Sequence, residues 1–153
     1  MAVHHIPDGY HSVIPYLVIK GAASAIEFYK EAFRAEEVMR MPAPDGTIGH
    51  AELKIGDSHI MLADEHPGMG QLSPQTIGGT PVSIMIYVPD VDACFNAAIA
   101  GGATERRPLE DQFYGDRSGM VTDPFGHTWM ISTHFEDVTP EEMQKRMAAM
   151  GQT

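Results

Sequence analysis

Hydrophobic and polar positions along the chain alternate between two periods. Val13–Ile19 (VIPYLVI) is apolar and β-branched and stops at Lys20-Gly21, which predicts a strand. Over Ala22–Ala35 the period lengthens. Ile26, Tyr29 and Phe33 fall at i, i+3 and i+7 beside Ala22, Ala25 and Ala32, so one face of a helix is apolar. Ala35–Met41 reads as a strand, Pro42–Gly46 as a turn, and His50–Ile55 (HAELKI) alternates in the period of two expected of a half-buried strand. Gly56-Asp57 then turns the chain back into Ser58–Ala63.

The same order recurs after a break. Asp64–Thr80 has four Gly, two Pro and no periodicity, which predicts a linker. Pro81–Val88 (PVSIMIYV) is a strand. Asp90 is placed to cap a helix over Val91–Ala100 with Val91, Phe95, Ala98 and Ile99 on its core face, ended by Gly101-Gly102. Ala103–Arg107 and Ser118–Thr122 follow as strands around a loop over Leu109–Arg117, and His127–Thr133 is the last strand. Each half therefore reads β-α-β-β-β, over residues 13–65 and 81–134, with 66–80 between them. Val88 lies 88 − 19 = 69 positions after Ile19, and the same offset sets Met130 under Met61. One half alone cannot bury a sheet face, so the pattern predicts an α+β fold in which the two modules make a curved mixed sheet around a cleft. A C-terminal helix over 138–151 is signalled by Thr139-Pro140-Glu141-Glu142, with Met143, Met147 and Met150 as its apolar stripe.

Composition narrows the function classes. The 153 residues carry 10 Lys and Arg against 21 Asp and Glu, a net charge of −11. Such a surface repels phosphate backbones and anionic lipid, so neither nucleic acid nor a membrane is an expected partner. Cys94 is the single cysteine, and its place inside the second helix predicts a buried, inert thiol. No signal layout or bilayer-length apolar run is seen, so the expected compartment is the cytoplasm. The nucleophile elbow, the P-loop and the dinucleotide glycine fingerprint are all missing.

Several strings carry a resemblance. Phe28-Tyr29 in the first helix, Val88-Pro-Asp-Val-Asp92 entering the second, and Tyr114-Gly-Asp-Arg117 ahead of Asp123-Pro-Phe-Gly126 resemble the glyoxalase/bleomycin-resistance, or vicinal oxygen chelate, superfamily. Ile14-Pro-Tyr-Leu17, Gly49-His-Ala-Glu-Leu53 and Asp111–Arg117 are similar to its PhnB-like branch. The resemblance implies paired half-barrel modules, a homodimer, and a ligand cleft in which classical members hold one divalent metal through His, Gln or Glu. Those ligand positions fall on Ile14, Ser83, Met61 and Met130. None offers imidazole or carboxylate, and thioethers suit soft ions, so no metal and no cofactor is expected.

What remains is an apolar and aromatic lining with a few polar points. The expected ligand-binding residues are Tyr16, His50, Glu52, Met61, Met85, Tyr114, Arg117, Trp129 and Met130. Met and Trp suit apolar or planar ligands, and Arg suits a carboxylate or phosphate. The leading expectation is a protein that binds a small organic molecule. Two alternatives stand beside it. One is a metal-dependent lyase, isomerase or dioxygenase using His50, Glu52 and a third group such as His59. The other is a structural or regulatory homodimer with a closed cleft. Asp64, Glu65 and His66 read as solvated loop, and His4, His5 and His11 as tail.

Overall fold

A computed structural model describes residues 2–151 and divides the chain into two units. The first comprises the residues up to Pro81 together with the turn Pro124–His127, and the second comprises Val82–Asp123 and the residues from Thr128 on. Each contains a four-stranded mixed sheet with a helix of its own, so the fold is α+β as the sequence predicts.

In the first unit β1 (Tyr16–Ile19), α1 (Ala22–Phe33), β2 (Glu36–Pro42), β3 (Ile48–Ile55) and β4 (Ser58–Asp64) follow one another. The sheet order is β1-β4-β3-β2, with β1 parallel to β4 and the other pairs antiparallel. Helix α1 buries Ala22, Ala25, Ile26, Phe28, Tyr29, Ala32 and Phe33. Leu17, Ile19, Ile48, Ala51, Leu53, Ile55, Ile60, Leu62 and Ala63 are the buried residues of the strands. Strand residues alternate faces, so Tyr16, His50, Glu52 and Met61 lie on the side away from α1.

Helix α1 begins at Gly21 in the left-handed region, with no side chain of its own to cap it. Asp64 supplies the cap from the end of β4. Its Oδ1 accepts from the backbone N–H of Gly21 (3.0 Å) and Ala22 (2.9 Å), and its Oδ2 accepts from Ile48 (2.7 Å). The carboxylate also faces the positive end of the helix dipole. Glu65 accepts from the backbone N–H of Ser73 and the hydroxyl of Thr76. The expectation that Asp64 and Glu65 are solvated loop is thereby corrected. The segment 66–80 is likewise shaped, by a 3-10 turn at Pro67–Met69 and the short helix α2 (Pro74–Ile77), which Ser73 caps.

The second unit holds β5 (Ser83–Tyr87), α3 (Val91–Ala100), β6 (Thr104–Asp111), β7 (Asp116–Thr122), β8 (Thr128–His134) and α4 (Pro140–Met150), with sheet order β5-β8-β7-β6. Asp90 caps α3 through Ala93 N–H (3.1 Å), and Thr139 caps α4 through Glu142 N–H (3.2 Å), as their sequence signatures predict. The expected loop at Leu109–Arg117 is corrected: β6 and β7 extend into it and leave only a turn at Gln112–Gly115. Pro108 masked the strand. Proline is tolerated there because β6 lies at the sheet edge and shifts register between Arg107 and Glu110. Helix α4 buries none of its side chains. Its Arg146 donates to the Phe113 carbonyl (2.9 Å) and pairs with Glu136 (2.7 Å).

Close packing of α3 on its sheet rests on Gly119. A Cβ at that position would stand 2.7 and 2.9 Å from carbons of the Phe95 ring. Gly119→Ala should therefore lower unfolding stability by about 1–3 kcal/mol through overpacking. Adding Phe95→Leu should return part of that loss. Urea denaturation of the two variants checks this, and a Gly119→Ala protein as stable as the parent would refute the close approach.

Candidate functional site

The first sheet brings four of the expected residues together on its free face. Cross-strand register sets Tyr16 beside Met61, Met61 beside Glu52, and Glu52 beside Met39, so one row crosses all four strands. His50 is two residues before Glu52 on β3 and shares its face. Its Nδ1 lies 2.9 Å from the Tyr16 hydroxyl, and its Nε2 lies 2.9 Å from Glu52 Oε2. Glu52 Oε1 accepts from the hydroxyl of Tyr10, which the sequence pattern did not single out. Tyr10 also stacks on His59 at 3.9 Å between ring centroids, with the planes 14° apart. The result is a continuous chain from Tyr16 through His50 and Glu52 to Tyr10. Glu52 is mostly shielded, whereas Tyr16 is 47% exposed.

Electrostatics along this chain follow from its donors. The Tyr10 and His50 hydrogen bonds hold the Glu52 carboxyl below the usual carboxylate range, and outweigh its partial burial. Hydrogen bonding to that carboxylate pushes the Tyr10 phenol up. Burial, and then the Glu52 charge, push the Tyr16 phenol up. Both phenols therefore stay protonated at neutral pH, and Glu52 stays charged.

The second sheet has an equivalent row. Met85, Met130 and Met120 are neighbours across β5, β8 and β7, and Met85 is 43% exposed. Two residues on from Met85, Tyr87 donates to Asp116 Oδ2 (2.8 Å). His134 spans Asp116 (2.7 Å) and Asp137 (2.7 Å), and these two carboxylates hold its imidazole above the ordinary value. Tyr114 lies in the Gln112–Gly115 turn, its ring edge-on to Phe113.

Trp129 and Arg117 are placed differently from what their sequence context predicts. Gly119 faces Phe95 of α3 and pairs with Ile131, and Trp129 alternates with Ile131 on that same side. Trp129 is fully buried, and its Nε1–H donates to the buried Asp123 (2.9 Å). It stands on the opposite face from Met130, because adjacent strand residues alternate. Arg117 belongs to β7 rather than to a loop. Its guanidinium ties α3 to the sheet through Asp92 (2.9 Å) and to β6 through Asp111 (3.2 Å), and those carboxylates raise its pKa further.

The residues present do not fit a classical metal centre. Met61 and Met130 each stand in a row with other side chains, and neither is a hard-ion ligand. His59 stacks on Tyr10 and does not join His50 and Glu52 in a ligand triad. Among the described residues no group of three or more His, Cys, Asp or Glu side chains is placed to hold a metal. Among them, too, no helix is long and apolar enough to cross a membrane.

The depressed Glu52 carboxyl has a stability consequence. A carboxyl whose folded pKa lies below its unfolded value stabilises the fold above the unfolded value, near the ordinary 4.5, and loses that contribution as the pH falls through the folded one. The stability difference between the parent and Glu52→Gln should be full above about pH 4.5 and shrink on further acidification. Urea midpoints across that range measure it, and a difference that grows in acid would contradict the assignment.

Comparison with known proteins agrees with this architecture. Residues 4–131 match the family model of the Glyoxalase/Bleomycin resistance protein/Dioxygenase superfamily. Protein Mb0911c of Mycobacterium bovis is 46% identical over 140 residues, covering 90% of this chain and 92% of that one. The crystal structure of TioX from Micromonospora sp. ML1 is 27% identical, covers 84% of this chain and 100% of its own, and superposes with a TM-score of 0.64. A PhnB protein from Bacillus cereus, 19% identical over 80% of this chain and 99% of its own, shares the fold with a TM-score of 0.62. The paired modules, their sheet order and the match over residues 4–131 establish that the chain belongs to the Glyoxalase/Bleomycin resistance protein/Dioxygenase superfamily.

Proposed function

We propose that this chain is a small-molecule-binding member of its superfamily, of the PhnB-like branch, which uses side-chain hydrogen bonds in place of the classical metal. The observation that carries this reading is the Tyr16–His50–Glu52–Tyr10 chain on the free face of the first sheet. Three of its members are held by their neighbours, and the fourth, Tyr16, is half exposed. A polar chain of this kind, ending in an exposed hydroxyl beside Met61, fits a molecule with one polar group and an apolar body.

The chemistry of the chain narrows the ligand. Tyr16 has lone pairs free to accept, and the Glu52 charge lies behind it. Together with the net charge of −11, this favours a neutral or cationic hydrogen-bond donor over an anion. The Met85–Met130–Met120 row gives the second sheet an apolar strip suited to the same kind of molecule, beside the polar Tyr87, Asp116 and His134. Arg117 is already occupied by two carboxylates and does not supply an anion site. A cytoplasmic homodimer is the proposed setting.

Calorimetric titration of the purified chain with neutral and cationic aromatic compounds tests the reading. Tyr16→Phe and Glu52→Gln should each weaken binding by about fivefold to tenfold, the loss of about one hydrogen bond. Chelation before the titration should leave the affinity unchanged. Equal affinities in parent and both variants would overturn this site, and affinity lost on chelation would restore the metal-dependent alternative.

A further inference from the structure

The free face of the first sheet contains a directed hydrogen-bond chain. An ionised carboxylate only accepts, so the 2.9 Å contact between Glu52 Oε2 and His50 Nε2 places the imidazole hydrogen on Nε2. In the neutral ring Nδ1 is then a lone pair. The 2.9 Å contact from Nδ1 to the Tyr16 oxygen is consequently a hydrogen bond that Tyr16 donates. Glu52 is itself held by Tyr10, so it cannot swing away from His50 without breaking a second bond. This is the arrangement of a base whose ring is oriented by a carboxylate and whose proton donor is a hydroxyl open to a ligand.

We propose that Tyr16, His50 and Glu52 form a proton relay that interconverts the keto and enol forms of a small carbonyl compound bound on this face. The proposal rests on the binding reading given above. A C–H bond next to the carbonyl breaks and its proton goes to the Tyr16 oxygen. The proton already on Tyr16 passes to His50 Nδ1, and Glu52 holds the imidazolium that results. The electron pair of the C–H bond becomes the C=C bond of the enolate, and the carbonyl oxygen takes the charge. Return of the proton from Tyr16 to that oxygen, with His50 giving back its own, completes the tautomerisation and needs no co-reactant. Tyr16 is the catalytic residue. His50 and Glu52 act through it and are positioning residues.

The substrate class follows from what surrounds the relay. O–H and N–H protons exchange with water unaided, so where proton transfer is the whole reaction an oriented base makes its difference at carbon. The charged or titratable groups on this face are Tyr10 from the N-terminal segment, Tyr16 of β1, Glu36 of β2, His50, Glu52 and Lys54 of β3, and His59 of β4. Lys54 is two residues beyond Glu52, and it has no hydrogen bond to Tyr16. The enolate charge is therefore spread by the substrate itself, which is the property of a 1,3-dicarbonyl compound. An uncharged one suits the acidic surface and the Glu52 charge.

The test is hydrogen–deuterium exchange at the acidic carbon of ethyl 2-methylacetoacetate, followed by proton NMR in heavy water with the intact chain. Saturation-transfer difference in the same samples reports binding. Exchange should exceed the protein-free rate by about a hundredfold or more, within the usual range of a positioned acid–base group. Tyr16→Phe and His50→Gln should return it to the protein-free rate, and Glu52→Gln should lower it and displace the pH profile. Nitrogen-15 spectra of the histidine rings should show the hydrogen on His50 Nε2. Binding without exchange, parent-like exchange in Tyr16→Phe, or a hydrogen on Nδ1 would each overturn the relay and leave the binding site standing. Neither binding nor exchange would overturn both.

Discussion

Successive side chains on a strand leave opposite faces of the sheet, and this constraint decides what each residue of the two modules is able to do. On β3 it sends Ala51, Leu53 and Ile55 into the core and leaves His50, Glu52 and Lys54 on the other side. On β8 it buries Trp129 and Ile131 and leaves Met130 beside Met85 and Met120. The core and the candidate site are therefore the two faces of the same strands. A slip of one residue in register would exchange them, so the apolar face that packs on each helix also holds the polar face in place.

Two carboxylates show how burial divides structural from chemical roles. Asp64 spends both oxygens on backbone N–H groups at the start of α1 and of β3, and so ties the last strand of the first unit to its helix. Glu52 spends its oxygens on two side chains, Tyr10 and His50. Backbone donors are fixed by the fold, so Asp64 acts as a cap. Side-chain donors carry the effect onward, so Glu52 sets the orientation of His50 and, through it, the direction in which the Tyr16 hydroxyl points.

Superfamily membership together with an absent ligand set poses a chemical question that the geometry answers in its own terms. The resemblance assigns the ligand positions of classical members to Ile14, Ser83, Met61 and Met130, none of them a residue type suited to a hard divalent ion. The polar side chains on this face of the first sheet include His50 and Glu52 of β3, with Tyr16 of β1 reaching over Met61 to meet them. In the proposed function a hydrogen-bond chain takes the place of a point charge. As proposed, such a chain accepts from a ligand and passes a proton on, whereas a Lewis acid polarises a carbonyl directly.

Much of the fold is legible in the sequence because strands and helices differ in the spacing of apolar residues. The two β-α-β-β-β runs, the caps at Asp90 and Thr139, and the shared face of His50 and Glu52 follow from neighbours within a few positions. The strand through Pro108 was hidden because a proline reads as a breaker until the sheet edge that tolerates it is known. The roles of Asp64, Tyr10 and Arg117 escape a local reading for a different reason. Their partners lie 16 to 43, 42 and 6 to 25 positions away, and no local period encodes such distances. The sequence by itself determined the modules and their order, since these depend on residue type and spacing. Only the tertiary structure decided that Tyr16, His50, Glu52 and Tyr10 form one chain while Trp129 turns inward, because strand register and facing are set by the packing of the whole sheet against its helix.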